Sequence, residues 1–292
     1  MKKILSLLLC LLLGISAAQA ETVVLPMDFS AGMKPAGAYP SDAEEYEDPS
    51  IHAVYFKDTL NNAEYKITYW AVKVRIANGS QLRTQSVNGF DKRKGLGKAE
   101  TLARRVNAVV AVNGDYYWGE PGRYTLRQGQ VFSEAMRAGQ DLLLIDEDGD
   151  FHIILAEEKP EEMDKTVIDG KKVVNALCFG PALIRDGEIV VDLAKAQPRS
   201  APNKGEQRIA ICQTGPLEYM VITVAEWGME VDTFARFLQS FGGIQQAYNL
   251  DGGNSSRLIF MGNRRNHLTD KEQRLIPDIV YFASAWDPEE DT

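Results

Sequence analysis

Two apolar, β-type runs of the chain each end abruptly in a polar turn that contains glycine. Residues 108–112 run into the segment NGD at 113–115, and residues 244–250 run into the segment DGGN at 251–254. Uninterrupted apolar runs of this length are typical of buried strands. Glycine lets the backbone turn sharply and approach a ligand closely, and each turn also carries an acid. The pattern predicts a sheet in which both turns lie at one edge.

The rest of the chain favours short strands joined by turns, with two helices. Apolar residues recur at helical spacing in residues 96–106 and 231–241. Runs rich in β-branched and aromatic residues predict strands at 51–56, 65–76, 124–132, 142–145, 176–184, 189–191, 208–212, 219–225, 258–261 and 278–283. No linker rich in proline, serine and glycine divides the middle of the chain, so one large domain is predicted.

Residues 1–20 predict a signal peptide rather than a part of the fold. Two lysines precede an apolar stretch at 4–15, and Ala18-Gln19-Ala20 has the small-x-small pattern of a cleavage site. The protein is therefore expected to be exported, to the periplasm or out of the cell, after cleavage near Ala20. No later apolar run is long enough to predict a transmembrane segment.

The chain is acidic, with a formal net charge of −9, which disfavours nonspecific binding to nucleic acid. Acids are dense in residues 31–50, where prolines and glycines also accumulate, and this composition predicts an extended surface arm. The segment DEDGD at 146–150 predicts a hairpin turn. It is similar to a calcium loop, but the spacing and the closing glutamate of such a loop are absent.

Export leaves two cysteines, Cys178 and Cys212, and two interpretations of them stay open. An oxidising compartment permits a disulfide between them, whereas free cysteine is among the most buried residue types. The three histidines, His52, His152 and His267, have no metal-ligand spacing with a cysteine. No metal and no cofactor are therefore expected.

Side chains suited to the hydrolysis of a glycosidic bond follow or begin these strands. Asp115 and Asp251 are candidates for the carboxylate pair that such chemistry uses. Arg208 begins a buried strand with a guanidinium fork that suits a phosphate, although an arginine in this place is also typical of a structural ion pair. The N–H groups of a glycine turn form a nest for an oxyanion. Ser255 either caps a helix or donates to such an oxyanion.

Four motifs occur in the order seen in phosphodiester glycosidases, a family that the chain resembles. They are NGDYY at 113–117, FGPALIRDG at 179–187, RIA at 208–210 and YNLDGGNSS at 248–256. The resemblance covers residues 65–283. It implies an α+β fold, with a single domain of mixed, mostly antiparallel β-sheet and a few packed helices. It also implies a hydrolase that cleaves a sugar-1-phosphodiester linkage of the N-acetylglucosamine type in a glycan or envelope polymer, such as an exopolysaccharide.

The resemblance further implies a role for each matching residue. Asp251 and Asp115 would share the acid/base or nucleophile roles, and Asn113 would hold a sugar hydroxyl. The carbohydrate phosphodiester would be held by Arg208, Gly180, Gly252, Gly253, Asn254 and Ser255. Pro181 also matches a motif position.

The implied organisation has four parts: a signal peptide at 1–20, an N-terminal arm with the first strand at 21–64, a phosphodiester glycosidase-like domain at 65–287, and an acidic tail at 288–292. The chain departs from the family pattern at three places and keeps the core motifs. Asn254 and Cys212 replace usual glycines, and the segment AEW at 225–227 replaces a usual Asp-Gly pair. The last departure lies near the expected edge of the site and leaves the identity of the substrate open.

Two other functions stay open at this stage. A non-catalytic glycan-binding protein can use the same fold, because fold does not fix function. A metal-dependent phosphodiesterase would cut a P–O bond instead of the glycosidic bond, but the scarcity of histidine and of Asp-x-His patterns counts against it. Product analysis separates the two hydrolases, since a glycosidase releases free sugar and a phosphodiesterase releases sugar 1-phosphate.

Overall fold

The computed structural model describes residues 22–37, 39–61, 66–91, 95–116, 123–192, 204–225, 228–267 and 274–287. The predicted signal peptide with its cleavage site at Ala20 and the predicted acidic tail at 288–292 lie outside these residues, as do Glu226 and Trp227 of the AEW segment.

Within the described residues, two α-helices accompany nineteen strands. The helices are α1, Ala99–Arg105, and α2, Val231–Gln239. In chain order the first ten strands are β1 Glu45–Asp48, β2 Ile51–Asn61, β3 Lys66–Ile76, β4 Leu82–Ser86, β5 Ala108–Asn113, β6 Thr125–Arg127, β7 Gln130–Ser133, β8 Leu142–Asp146, β9 Phe151–Ile154 and β10 Val167–Ile168. The other nine are β11 Lys171–Leu177, β12 Ala182–Arg185, β13 Glu188–Ile189, β14 Ile209–Gly215, β15 Glu218–Val224, β16 Gln246–Asn249, β17 Leu258–Phe260, β18 Asn263–Arg264 and β19 Asp278–Ala283.

The strands form three sheets, and every strand pair among the described residues is antiparallel. The eight-stranded sheet has the order β1-β2-β3-β15-β14-β16-β12-β13, and the five-stranded sheet has the order β18-β17-β5-β19-β4. The third sheet has the order β7-β6-β11-β8-β9, with β10 paired to β11. The prediction of a mostly antiparallel β structure with few helices is confirmed. The prediction of one mixed sheet is wrong, and the class α+β overstates the helical part of a mostly β fold.

A single crossover explains why the sequence favours a mixed sheet. The helix α2 connects β15 to β16, and a helical connection of this kind is typical of strands that run in the same direction. Those two strands do not pair with each other, because β14 lies between them and pairs antiparallel with both. A connection typical of parallel strands therefore occurs inside an antiparallel sheet.

The main core lies where the three sheets face one another. Its buried apolar side chains come from every sheet, including Val72, Ile211, Val110, Phe282 and Leu143. Alternate side chains of a strand point to opposite faces, so the other face of the eight-stranded sheet is covered by α2 and that of the five-stranded sheet by α1. No helix in the described part of the chain combines the length and the apolar character needed to cross a membrane.

The N-terminal arm is mostly exposed, but a few buried residues and one strand anchor it to the sheets. β1 pairs with β2, and Tyr46 in that strand is buried in the main core. Met33 forms a bridge with Ser284, and Leu25 is buried against the five-stranded sheet. The prediction of an extended surface arm at 31–50 is therefore wrong for β1. Strand pairing satisfies its backbone, and the Tyr46 ring gives it an apolar anchor.

The two cysteines of the described chain are both free and buried. Cys212 lies in β14, whose neighbours are β15 and β16, and Cys178 follows β11, whose neighbours include β6 and β8. The disulfide required segments 208–212 and 176–179 to be adjacent, and they belong to different sheets. The interpretation as a disulfide is therefore wrong, and that of two buried thiols holds.

Candidate active site

The site lies where strand ends of all three sheets meet. β5 ends at Asn113, and β16 ends at Asn249, two residues before Asp251. The third sheet contributes Cys178, directly after β11, and β19 of the five-stranded sheet begins at Asp278. A hydrogen bond links Asn113 to Asp251. The two polar turns of the sequence therefore do come together, but between sheets rather than at the edge of one.

Asn113 fixes the Asp251 turn through both ends of its side-chain amide. Its Nδ2 donates to the backbone oxygen of Asp251 at 2.7 Å, and its Oδ1 accepts from the backbone N–H of Arg257 at 2.9 Å. The side chain is buried. The resemblance implies that Asn113 holds a sugar hydroxyl. These contacts occupy both ends of its amide, so Asn113 is better suited to position the turn.

The Asp251 turn is packed against the backbone that precedes β14. Gly253–Ser255 form a 3-10 turn, and the Gly253 N–H donates to the Gln207 carbonyl oxygen at 2.7 Å. A side chain on Gly252 would collide with the same oxygen, so only glycine fits there. The Gly253 amide, expected to hold the phosphodiester, is thus used by the fold. Asn254 is exposed at the tip of the turn.

Gly180 packs the turn between β11 and β12 onto the end of β16. It has a φ of +62°, and a cis peptide bond joins it to Pro181. Its carbonyl oxygen accepts from the Asn249 side chain at 2.8 Å. A Cβ at this position would lie 3.3 Å from the hydroxyl oxygen of Tyr248. The Gly180 turn therefore supports the strand that carries Asp251.

Asp251 is half-buried, and its surroundings disfavour its charged form. Burial raises the pKa of Asp251 to about 6, and the negative charge of Asp115 acts in the same direction. The hydrogen bond to Ser255 and the positive charges of Arg274 and Arg123 oppose this shift. A carboxyl group that titrates close to neutral pH at a strand end is typical of an acid/base or nucleophilic group.

Four fully buried charged side chains form an alternating row next to Asp251. Arg123 Nη1 lies 2.7 Å from Asp115 Oδ1, and Arg127 Nη2 lies 3.5 Å from Asp115 Oδ2 and 3.6 Å from Asp278 Oδ2. We call this row, Arg123–Asp115–Arg127–Asp278, the buried charge chain. It is neutral when all four groups are ionised, and Asp251 adds one negative charge. An excess negative charge in a buried cluster favours uptake of a proton.

Both carboxylate oxygens of Asp115 are engaged inside the protein. Oδ1 accepts from Arg123, and Oδ2 accepts from the backbone N–H of Cys178 at 2.6 Å. Burial also raises the pKa of the Cys178 thiol to about 12, which excludes it as a nucleophile at neutral pH. Asp115 therefore orients Arg123 and does not reach solvent.

Asp278 is the least satisfied acid of the buried charge chain. Neither of its oxygens accepts a hydrogen bond of good geometry from the described residues, although the Asp115 backbone N–H and the Arg127 guanidinium are near enough to stabilise its charged form. A side chain on Gly114 would collide with the Asp278 carboxylate, so the turn at 113–115 and the start of β19 approach each other closely at this point. Burial raises the pKa of Asp278 to about 7, and the charge of Arg127 opposes the shift.

Arg208 holds the backbone around β14. Its Nε donates to the Met229 carbonyl oxygen at 2.8 Å, and its Nη2 donates to the Lys204 carbonyl oxygen at 2.7 Å. Burial lowers the pKa of Arg208 to about 10, against the charges of Glu206 and Glu230. The donors expected to bind phosphate are therefore occupied by carbonyl groups of the protein.

Sequence reasoning missed Arg123, Arg127 and Asp278. The alternation at 123–127 places two arginines and Thr125 on one face and apolar side chains on the other. Taken alone, this pattern indicates a strand with one solvent-exposed face. In the structure that polar face is buried. For Asp278 the sequence does offer one signal of a functional residue, because this acid stands directly at the start of an apolar strand.

Only one group of described side chains has the spacing of a metal site. It comprises Glu45, Glu47 and His52 of the β1–β2 hairpin, and the two glutamates are exposed. These residues lie outside the site. The expectation of no metal and no cofactor stays a prediction.

Comparison with known proteins places the chain among glycosidases. Residues 106–283 match the sequence profile of the phosphodiester glycosidase family. No significant sequence match is found among curated proteins. The fold is similar to the zebrafish N-acetylglucosamine-1-phosphodiester alpha-N-acetylglucosaminidase catalytic domain auto-inhibited by its pro-peptide, with a TM-score of 0.65 and 16% identity, covering 90% of this chain and 98% of that one.

Two bacterial structures share the fold at greater distance. A hypothetical protein from Synechocystis has a TM-score of 0.53 and 16% identity, covering 80% of this chain and 62% of that one. A candidate exported protein from Burkholderia pseudomallei has a TM-score of 0.51 and 13% identity, covering 77% of this chain and 76% of that one. At these identities the three structures establish a common fold.

Proposed function

The chain belongs to the phosphodiester glycosidase family, and from that premise we propose that it is an exported hydrolase that cleaves a sugar-1-phosphodiester of the N-acetylglucosamine type in a glycan or envelope polymer. One arrangement carries the proposal: the half-buried Asp251 carboxyl group lies within the field of the buried Arg123 guanidinium. A carboxylate beside a fixed cation suits a substrate in which a sugar carbon is bonded to a phosphate oxygen.

Asp251 supplies the reacting carboxylate. With a pKa of about 6 it is mostly ionised at neutral pH, so it acts as a base or a nucleophile rather than as an acid. It either takes a proton from the water that attacks C1 or bonds to C1 itself before water releases the sugar. The bond between C1 and the phosphate oxygen breaks, and its electron pair stays with the phosphate. The water oxygen ends on C1.

A single reacting carboxylate is sufficient because a phosphate monoester is a good leaving group. It leaves without a proton from a second acid. This agrees with Asp115, whose two oxygens are already bonded to Arg123 and to the Cys178 backbone. In place of the expected acid pair, we assign Asp251 to the reaction and Asp115 to the orientation of Arg123.

The other expected site residues divide between support and contact. Asn113, Gly180, Gly252 and Gly253 hold the Asp251 turn through the contacts already described. Ser255 hydrogen-bonds to the Asp251 carboxylate and keeps its ionised form available. Asn254, exposed at the tip of the turn, is the member of the set proposed to contact the substrate.

Export is proposed on the sequence of residues 1–20 alone. N-terminal sequencing of the protein recovered from the periplasm or the medium should begin at Glu21. The family match at 106–283 lies inside the predicted domain at 65–287, whose boundaries stay a prediction.

The reaction is tested with the methyl phosphodiester of N-acetylglucosamine 1-phosphate in water labelled with heavy oxygen. Cleavage of the glycosidic bond places the label on the sugar, and the phosphate product is methyl phosphate without label. Cleavage of a P–O bond would place the label on phosphorus and release either methanol with labelled N-acetylglucosamine 1-phosphate or unlabelled N-acetylglucosamine with labelled methyl phosphate. The first result supports the glycosidase, and the second would establish a phosphodiesterase.

The same experiment tests the non-catalytic alternative. A glycan-binding protein would release no product above a buffer blank, yet would bind the intact phosphodiester in calorimetry. Turnover of the methyl phosphodiester excludes that alternative, and binding without turnover would overturn the proposed activity.

A further inference from the structure

Two buried arginines near the Asp251 turn use the same edge of the guanidinium group differently. Nε and Nη2 of an arginine form a side-on fork that can bind two oxygens of one anion. In Arg208 this fork is filled, because Nε donates to Met229 and Nη2 donates to Lys204. In Arg123 neither Nε nor Nη2 has a hydrogen-bond partner among the described residues.

Arg123 is nevertheless held firmly by its other nitrogen. Nη1 donates to Asp115 Oδ1 at 2.7 Å and to the Cys178 carbonyl oxygen at 3.0 Å. The guanidinium carbon lies 5.5 Å from the centre of the Phe179 ring, within the range of a cation–π contact. The residue is only 2% exposed. Its fork is therefore fixed in orientation before any ligand binds.

Two buried donors without partners carry a cost that a native structure rarely accepts. An unsatisfied buried donor costs on the order of 1–3 kcal/mol, and more when it is charged. Such a group is explained when a ligand completes its hydrogen bonds. A ligand for this fork must be an anion with two oxygens that lie side by side, and it must lie within the field that links Arg123 to Asp251.

We infer that Arg123, rather than Arg208, is the residue that binds the phosphodiester, with its Nε and Nη2 donating to the two non-bridging phosphate oxygens. This inference rests on the proposed function, since it names the group that holds the proposed substrate. A phosphate bound in this way would place C1 of the sugar between the bridging oxygen and Asp251, and the fork stabilises the negative charge that remains on the phosphate when the C1–O bond breaks.

The position of Arg123 in the buried charge chain makes it selective for an anionic ligand over a neutral one. Asp115 is shared between Arg123 and Arg127, so it neutralises only part of the charge that faces the ligand. A neutral sugar gains little from such a fork. A phosphodiester gains two charge-assisted hydrogen bonds, which are about twice as strong as neutral ones.

The test compares Arg123→Lys with Arg208→Lys, both of which keep the positive charge and remove the fork. The probe is dimethyl phosphate, an unreactive phosphodiester, with N-acetylglucosamine as a neutral probe of the sugar subsite. Arg123→Lys should weaken dimethyl phosphate binding roughly tenfold or more and raise KM in parallel, with N-acetylglucosamine binding unchanged. Arg208→Lys should leave dimethyl phosphate binding within about twofold, at some loss of thermal stability.

A measurement on the wild-type chain guards against a variant that does not fold. In nitrogen-15 NMR, the assigned Nε–H signal of Arg123 should shift when dimethyl phosphate is added, and that of Arg208 should stay in place. A shift of the Arg208 signal alone, or equal binding of dimethyl phosphate by the wild type and Arg123→Lys, would overturn the inference.

Binding and turnover separate this inference from the proposed function. If the methyl phosphodiester is not hydrolysed but dimethyl phosphate binds in an Arg123-dependent manner, the function fails and the inference stands. If hydrolysis occurs and Arg123→Lys binds dimethyl phosphate like the wild type, the function stands and the inference fails.

Discussion

Two groups of three aspartates in this molecule lie at glycine turns or strand ends, yet the fold lowers the pKa of a buried acid in one group and raises the pKa of two acids in the other. The hairpin acids are Asp146, Asp148 and Asp150, between β8 and β9, and the site acids are Asp115, Asp251 and Asp278. Each group is a cluster of negative charge that needs cations or protons to be stable. The hairpin acids stabilise the folded chain, whereas the site acids surround the group that we assign to the reaction.

The hairpin acids surround one lysine. Lys171 Nζ lies 3.5 Å from Asp146, 3.0 Å from Asp148 and 3.2 Å from Asp150, in the position that a cation takes in a calcium loop. Burial alone would raise the pKa of Asp146, but the hydrogen bond with His152, the backbone N–H of Asp150 and Lys171 together lower it. The hairpin predicted from DEDGD is confirmed. Its charges stabilise the folded chain.

The site acids outnumber the arginines between them. Arg123 and Arg127 balance two carboxylates, and burial raises the pKa of both Asp251 and Asp278. The same residue type at a strand end thus acquires a pKa shift of opposite sign, depending on whether the fold supplies enough cations and N–H groups. Of these two acids only Asp251 is partly exposed, so its raised pKa marks it as the group that the fold leaves reactive.

The largest expected effect comes from removing one charge in each group. Asp251→Asn should lower kcat roughly 10²- to 10⁴-fold, because the reacting carboxylate is lost while the shape of the turn is kept. Asp146→Asn is the matched control, and it should leave kcat near the wild-type value while lowering Tm. Steady-state kinetics and thermal melts of both variants check this contrast. Wild-type kcat in Asp251→Asn would break it.

The next effect concerns Asp115, which we assign to support. Asp115→Asn should lower the free energy of unfolding by roughly 3–5 kcal/mol, because Arg123 and Arg127 lose the carboxylate that they share. Denaturant unfolding measures this change, and the exposed Asp148→Asn serves as the control. A stable Asp115→Asn whose only defect is in kcat would show instead that Asp115 takes part in the reaction.

The smallest and most diagnostic effect concerns Asp278. Its folded pKa of about 7 lies above the ordinary 3.8, so the wild type should lose stability as the pH rises between these values. Asp278→Asn should remove much of this pH dependence and should be at least as stable as the wild type at about pH 8. The Asp146→Asn control should leave the slope between pH 3.8 and 7 unchanged, because the lowered pKa of Asp146 confines its own effect to pH values below about 3.8, where it stabilises the wild type as the pH rises. An Asp278→Asn protein that is markedly less stable at about pH 8 would contradict the account.

The turns at both strand ends could be predicted from the sequence because they depend on local signals. An apolar run that stops at Asn-Gly-Asp or Asp-Gly-Gly carries its own evidence of a buried strand and a tight turn. The pattern also predicted that the Asn113 turn and the Asp251 turn lie together, although it placed them at the edge of one sheet and the structure places them between two. The hairpin at 146–150 followed in the same way.

The partners of those turns could not be predicted, because they come from other sheets. Arg123 and Arg127 alternate with apolar residues, which indicates a polar face but does not tell whether that face meets water or protein. Arg208 looked like a phosphate ligand because its fork is visible in the sequence while the carbonyl oxygens that fill it are not. Which donors remain without partners is a property of the packed fold.

The pH dependence of kcat/KM for the methyl phosphodiester of N-acetylglucosamine 1-phosphate tests whether the buried Asp251 carboxylate is the reacting group. We expect an acid limb with a midpoint at about 6, where the Asp251 carboxylate takes up a proton and can no longer act as base or nucleophile. The limb should persist in Asp146→Asn. A midpoint near the ordinary 3.8 of an aspartate would contradict the account, because it would show that the reacting group is a solvated carboxylate outside the buried cluster.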